Sequence, residues 1–147
     1  MRRVRSEVGQ PVTVADNVHW WLEQGAGLAR QVDFLAIHSY PIWTGSDIDE
    51  GIDQTIREVE AALAAYPDKR VVVSEAGWAT VAEEFGERAG VAKQERYYRE
   101  LMAWARTKRV TVFIFEAFDE PWKGDPARVA GAEKHWGLWD VDRRRKW

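Results

Sequence analysis

Arg70-Val71-Val72-Val73-Ser74-Glu75-Ala76-Gly77-Trp78 reads as a strand that ends on a carboxylate. Three successive β-branched valines favour an extended, pleated backbone, and Gly77 lets the chain turn sharply after it. Working outward, Pro67 stops the preceding helix, whose apolar face is Ile52, Ile56, Val59 and Leu63 at steps of four, three and four. Ser46 with Asp49 predicts a capping box at its start. Before that helix, Val32 to His38 is a near-continuous apolar run ending in Ser39-Tyr40-Pro41, as expected of a strand buried on both faces. After Trp78, a loop from Gly77 to Gly90 leads to a helix with Tyr97, Leu101 and Trp104 on one face, then to a strand over Val110 to Phe115. Glu116 to Trp147 is predicted to be irregular. Near the start, Val12 to Ala15 is expected to form a short strand, and Trp20 to Gln31 a helical stretch interrupted by Gly25 and Gly27.

Strands thus alternate with helical crossovers, the signature of a parallel α/β sheet. No GxGxxG or GxxxxGK[ST] follows any strand, so no phosphate cradle favours an open doubly wound sheet, although that architecture stays possible. Each strand ends instead in polar and aromatic residues: Asp16-Asn17, His38-Ser39-Tyr40, Ser74-Glu75 and Glu116 to Glu120. A (β/α)8 barrel builds its site from such strand ends, but a whole barrel takes about 250 residues. Only four strands can be read here.

The chain has 147 residues, 21 Lys plus Arg against 24 Asp plus Glu, no Cys and nine Trp. That is an ordinary globular composition of one domain's length. The net charge of −3 gives no grip on phosphates, so nucleic acid is not an expected partner. Absence of Cys excludes disulfides, Cys-ligated metals and thiol nucleophiles, and leaves the compartment undetermined. The apolar runs are far shorter than the roughly 20 residues of a membrane-spanning helix. Met1 to Glu7 is basic, is followed by no apolar stretch, and carries no cap. It reads as the interior of a helix with chain before it, not as a signal peptide.

Glu75 is the first candidate for chemistry, because a strand end holds a carboxylate rigidly. Glu116, Asp119 and Glu120 form a second acidic group at the exit of the last strand, which a parallel sheet brings near Glu75. Paired carboxylates of this kind carry out glycoside hydrolysis; a solvated acidic loop partnered by Lys123 and Lys134 has the same spacing. Tyr40, Trp43, Trp78, Trp122 and Trp136 lie in or beside strand-exit loops, where aromatic faces can stack on sugars. His19, His38 and His135 lack ligand spacing, so neither a metal nor another cofactor is expected. No Ser sits in a GxSxG elbow.

Four strings occur in order: His38-Ser39-Tyr40-Pro41; Ser74 to Trp78; Phe115-Glu116-Ala117-Phe118-Asp119-Glu120-Pro121-Trp122-Lys123-Gly124; and Glu133-Lys134-His135-Trp136-Gly137-Leu138. Together they resemble the second half of glycoside hydrolase family 17, in particular its bacterial β-1,3-glucanase and glucanosyltransferase-like members. The resemblance implies half of a (β/α)8 TIM barrel, strands five to eight with their helices, as a single partial glycosidase domain over residues 1–147. It also implies retaining chemistry on β-1,3-glucan without a metal. Glu75 matches the nucleophile, Glu120 and Lys123 the supporting pair after the last strand, Glu133 the acid of the final motif, and Tyr40 a sugar-site tyrosine. Trp78, Trp122 and Trp136 join these as expected substrate-binding residues. The family's proton donor is the Glu of an Asn-Glu pair after the fourth strand, whereas the only Asn here is Asn17, followed by Val18. The chain alone is therefore expected to be catalytically incomplete, to be completed by an N-terminal half or by a second copy. A non-catalytic glucan-binding or structural half-barrel is the alternative, and another clan of barrel glycosidases a third. The family resemblance makes a cell-envelope or extracellular setting possible.

Overall fold

The computed structural model describes residues 1–147. The chain runs α1 (Arg2–Glu7), β1 (Ala15–Asn17), α2 (Val18–Glu23), α3 (Ala26–Ala29), β2 (Phe34–Ser39), α4 (Ile48–Ala65), β3 (Arg70–Ala76), α5 (Val91–Lys108) and β4 (Thr111–Ile114). The four strands form one parallel sheet in the order β1-β2-β3-β4. A doubly wound sheet reverses its strand order at a switch point, whereas a barrel wall does not. The unreversed order is the one expected of half a barrel wall.

Packing follows from the two periodicities. Ile52, Thr55, Val59 and Ala62 are buried along α4, and Gln94, Tyr97, Leu101 and Ala105 along α5. These faces cover Leu35, Ile37, Val71 and Val73, which project from β2 and β3 into the main core. Each such fully buried aliphatic side chain contributes roughly 1.5–3 kcal/mol. A polar thread crosses this core without leaving a gap in hydrogen bonding. Ser39 Oγ lies 2.9 Å from Thr55 Oγ1, which lies 2.8 Å from Tyr97 Oη, and Ser39 donates to Glu58 at 2.6 Å.

The outer strands differ from the inner pair. β1 has three residues and β4 four, and each has only one strand neighbour. Phe113, in the middle of β4, is 59% exposed. Unpaired edges of this kind are what barrel closure removes.

Three local expectations are corrected. β1 begins at Ala15, because Val12 and Thr13 are instead tied to the start of β2: Val12 N donates to Asp33 Oδ2 at 2.7 Å and Thr13 Oγ1 to Phe34 O at 2.5 Å. The cap of α4 is Asp47, whose Oδ1 accepts from Ile48 N at 2.6 Å, while Ser46 donates to Gln54 at 2.6 Å. The helical stretch after β1 is two short helices, the first opened by Asn17, whose Oδ1 accepts from Trp20 N at 2.9 Å. The tail after β4 is irregular as read, with one 3-10 turn over Ala132–Lys134.

Candidate active site

β2 and β3 pair in simple register up to Ile37 and Val73; then His38 pairs with Glu75, leaving Ser74 as an extra residue. Such a bulge turns the following side chains over to the other face. Val71 and Val73 point into the helix-covered core, and after the bulge Ala76 and Trp78 do so. Glu75 is thereby aimed at the open end of the sheet, beside His38. Its Oε2 accepts a hydrogen bond from Tyr40 Oη at 2.8 Å and lies 3.5 Å from His38 Nδ1. Burial first, then the neighbouring Glu75 carboxylate, push the Tyr40 phenol far above its usual range. Tyr40 therefore stays a donor and holds Glu75 by one oxygen.

Glycine is required next to this carboxylate. A Cβ on Gly77 would sit 2.1 Å from Phe115 O, so only glycine lets the exit of β4 pack against the exit of β3. That approach closes a pocket of about 150 Å³ lined by Tyr40, Trp43, Glu75, Phe115, Glu133 and Trp136. A wider hollow of about 350 Å³ adjoins it on the β1 side, sharing Tyr40 and Trp43 and including His19, His38 and Glu58. Trp43, named above only among the loop aromatics, borders both hollows, is 47% exposed and meets Phe85 edge-on at 4.5 Å. Its nearness to Tyr40 in the Pro41–Thr44 turn was the signal available in the sequence.

The acids after β4 take separate places. Lys123 Nζ lies 3.0 Å from Glu116 Oε2, forms an ion pair with Glu120, and sits 4.4 Å from the centre of the Phe115 ring. Burial lifts the Glu116 carboxyl to about 7; Lys123 opposes that rise and Glu120 reinforces it. Lys123 holds Glu120 below its usual value. Burial works against the charge of Lys123, but Glu120 and Glu116 together raise it. Two carboxyl groups thus share one ammonium beside the pocket. Asp119 is not among them: it accepts from Gly137 N at 2.9 Å and from Lys146 Nζ at 2.7 Å, which makes it a loop tie.

Of the expected sugar-binding residues, Tyr40, Glu133 and Trp136 reach the pocket, and Glu120 and Lys123 stand behind it. Trp136 is 1% exposed and braced edge-on by Tyr40 at 5.2 Å, so it is a wall and not an open stacking platform. Trp122 is 73% exposed and outside the pocket lining. Trp78 is a correction. It is 1% exposed, lies 5.3 Å from the Tyr97 ring and packs over Gly51, where a Cβ would meet its ring at 2.6 Å. The bulge sends it to the helix side, where it is core. No group of three or more His, Cys, Asp or Glu comes together as a metal-holding cluster.

A parallel β/α sheet that presents a clamped carboxylate in an aromatic, acid-flanked pocket at its strand ends is the architecture of a barrel glycosidase. Residues 1–137 match the BtgE/BtgC glycoside hydrolase domain, and the chain belongs to that family. A glucan 1,3-beta-glucosidase of Arthroderma benhamiae is 32% identical over 132 residues, covering 78% of this chain and 41% of the relative. A glucan 1,3-beta-glucosidase of Schizosaccharomyces pombe is 31% identical over 127 residues, covering 81% and 40%. The crystal structure of a glycoside hydrolase family 17 beta-1,3-glucanosyltransferase from Rhizomucor miehei superposes with a TM-score of 0.83 at 26% identity, covering 98% of this chain and 51% of that one. An active-site mutant of that enzyme in complex with laminaritriose gives the same TM-score at 25% identity. The family 17 resemblance and the half-barrel expectation are borne out. The chain spans about two fifths of the length of these curated relatives and about half of the solved structure.

Proposed function

We propose that residues 1–147 form one partial (β/α)8 domain carrying the nucleophile half of a β-1,3-glucan-active glycosidase or transglycosylase. The observation that carries this reading is Glu75, clamped by Tyr40 at 2.8 Å in a pocket walled by Trp136 and Phe115. In a retaining mechanism the free carboxylate oxygen of Glu75 attacks the anomeric carbon, the glycosidic oxygen leaves with a proton from a second carboxyl group, and water or another sugar then releases the ester. Lys123, Glu120 and Glu133 would hold the charge balance around the sugar, and Tyr40 would keep Glu75 aligned. The acid is the missing part, since no Asn-Glu pair occurs in the sequence. A second half-barrel would supply it, either an upstream segment or another copy, closing the edges of β1 and β4. The same lack supports a second reading, a glucan-binding half-barrel without turnover.

A 2,4-dinitrophenyl 2-deoxy-2-fluoro-β-laminaribioside tests both, because its leaving group needs no acid. A covalent adduct mapped by peptide mass to Glu75, with no sugar released from laminarin by the chain alone, is the expected result. Co-expression with a second half-barrel bearing the acid should restore laminarin cleavage. An adduct on another carboxylate would remove Glu75 from its role. Binding of laminari-oligosaccharides, followed by Trp fluorescence, with no adduct would leave the non-catalytic reading.

A further inference from the structure

Residues 138–147 lie beyond the family match, yet Lys146 and Trp147 bond to residues that hold the Trp136 segment of the pocket. Lys146, its side chain 10% exposed, donates at 2.7 Å to Asp119 Oδ1 and at 2.7 Å to Thr80 Oγ1. The same Asp119 oxygen accepts from Gly137 N at 2.9 Å, and Thr80 donates through both N and Oγ1 to His135 O, at 3.0 and 3.1 Å. The next residue acts through Gln94. Trp147 Nε1 donates to Gln94 Oε1 at 3.0 Å, and the Gln94 amide nitrogen reaches the carbonyls of Trp78, Trp136 and Gly137 at 2.9, 3.0 and 3.2 Å. Gln94 is 3% exposed, on α5.

The chemistry of these groups makes the arrangement directional. An indole N–H only donates and a carbonyl only accepts, so Trp147 and the three carbonyls together fix the Gln94 amide with its oxygen toward Trp147 and its nitrogen toward the carbonyls. Turned over, the amide oxygen would face those carbonyls and repel them. A buried Lys146 needs its acceptors in the same way, and one of them holds Gly137. Two neighbouring side chains therefore tie down the His135-Trp136-Gly137 segment, Lys146 through Asp119 and Thr80 and Trp147 through Gln94, and that segment carries the Trp136 wall, with Glu133 three residues before it.

We propose that Lys146 and Trp147 are positioning residues for the Glu75 pocket, acting through Asp119 and Gln94 on the loop that carries Glu133 and Trp136. Its functional consequence rests on the reading of that pocket as a sugar site; its structural content does not. Neither residue lines the pocket.

The test uses Trp147→Phe, which removes the N–H and keeps a ring, and Lys146→Met, in the full chain labelled with 5-fluorotryptophan. The Trp136 fluorine resonance, assigned with Trp136→Phe, should shift or broaden in each variant, while that of Trp21, on α2, stays in place. Labelling of Glu75 by the fluorinated laminaribioside should slow about tenfold, with a higher half-saturating concentration, at temperatures where both variants remain folded. A merely stabilising role would lower the melting temperature and change neither signal. An unmoved Trp136 resonance in both variants would overturn the proposal. If the unaltered chain is never labelled, the sugar reading fails and the fluorine spectra alone decide the positioning.

Discussion

From Phe34 to Lys108 the chain is held by a ladder of paired strands and by two 18-residue helices whose buried faces repeat every three or four residues. From Glu116 to Trp147 the longest regular piece is a single 3-10 turn, and order comes from isolated backbone bridges, such as Phe118 with Trp139, and from side chains bound to backbone, such as Asp119 on Gly137 N and Lys134 on Lys123 O. Both segments line one pocket. The first presents Glu75 through a register shift in a rigid sheet, and the second presents Glu133 and Trp136 through a set of individual ties. Periodic packing spreads its energy over many contacts, whereas each tie in the second segment is a single hydrogen-bonded group whose partner is costly to strand. The reacting atom and the groups that tune it should accordingly respond differently to substitution.

The largest effect falls on the reacting atom. Glu75→Gln keeps the shape and removes the nucleophile, so the covalent adduct should vanish from the intact mass spectrum. Lys123→Met should leave the adduct forming about 10²-fold more slowly, the scale of one electrostatic group at a reacting centre. Equal losses in the two variants would erase the distinction between the segments.

Tryptophans separate the segments next. Trp78→Ala, in the helix-covered core, should cost about 3–5 kcal/mol in urea unfolding, while Trp122→Ala, 73% exposed, should stay within about 0.5 kcal/mol. Part of this contrast was hidden in the sequence. The valines at 71, 72 and 73 and the four-three-four step of α4 announce elements directly. The bulge at Ser74 does not, since no residue type demands it. Alternation continued from Val71 and Val73 puts position 75 against the helices, and the extra residue exchanges the faces of Glu75 and Trp78. A motif can name the carboxylate, and only the register says which neighbour of it is core. The tail was less legible still, because ties such as Lys146 to Asp119 join residues 27 apart without any period.

A pH scan sharpens the comparison within the second segment. Glu116 is raised to about 7, chiefly by burial, so the folded chain holds this proton more tightly than the unfolded one. Its contribution is fully present below its ordinary value of 4.5 and is lost as pH rises through about 7. The melting temperature of the parent chain should therefore decline relative to Glu116→Gln between pH 5 and pH 8. Parallel curves for the two proteins would mean that Glu116 is charged across the whole range.

The smallest effect falls in the first segment, at the start of α4. Ser46 and Asp49 have the spacing of a capping box, but the first free N–H of α4 is taken by Asp47 Oδ1, and Ser46 is engaged with Gln54. Asp47 also receives Lys93 Nζ at 2.7 and 2.8 Å, which joins the start of α4 to the start of α5. Removing an N-cap costs about 1 kcal/mol, and a half-exposed ion pair adds little more. Asp47→Ala should therefore lower stability by about 1–1.5 kcal/mol. Asp47→Asn, which keeps the cap and drops the charge, should recover most of that loss. Ser46→Ala should cost less than loss of the cap, because Gln54 Oε1 keeps Thr44 Oγ1 at 3.4 Å and its amide nitrogen keeps Thr44 and Glu58. A larger loss at 46 than at 47 in denaturant titration would return the cap to Ser46.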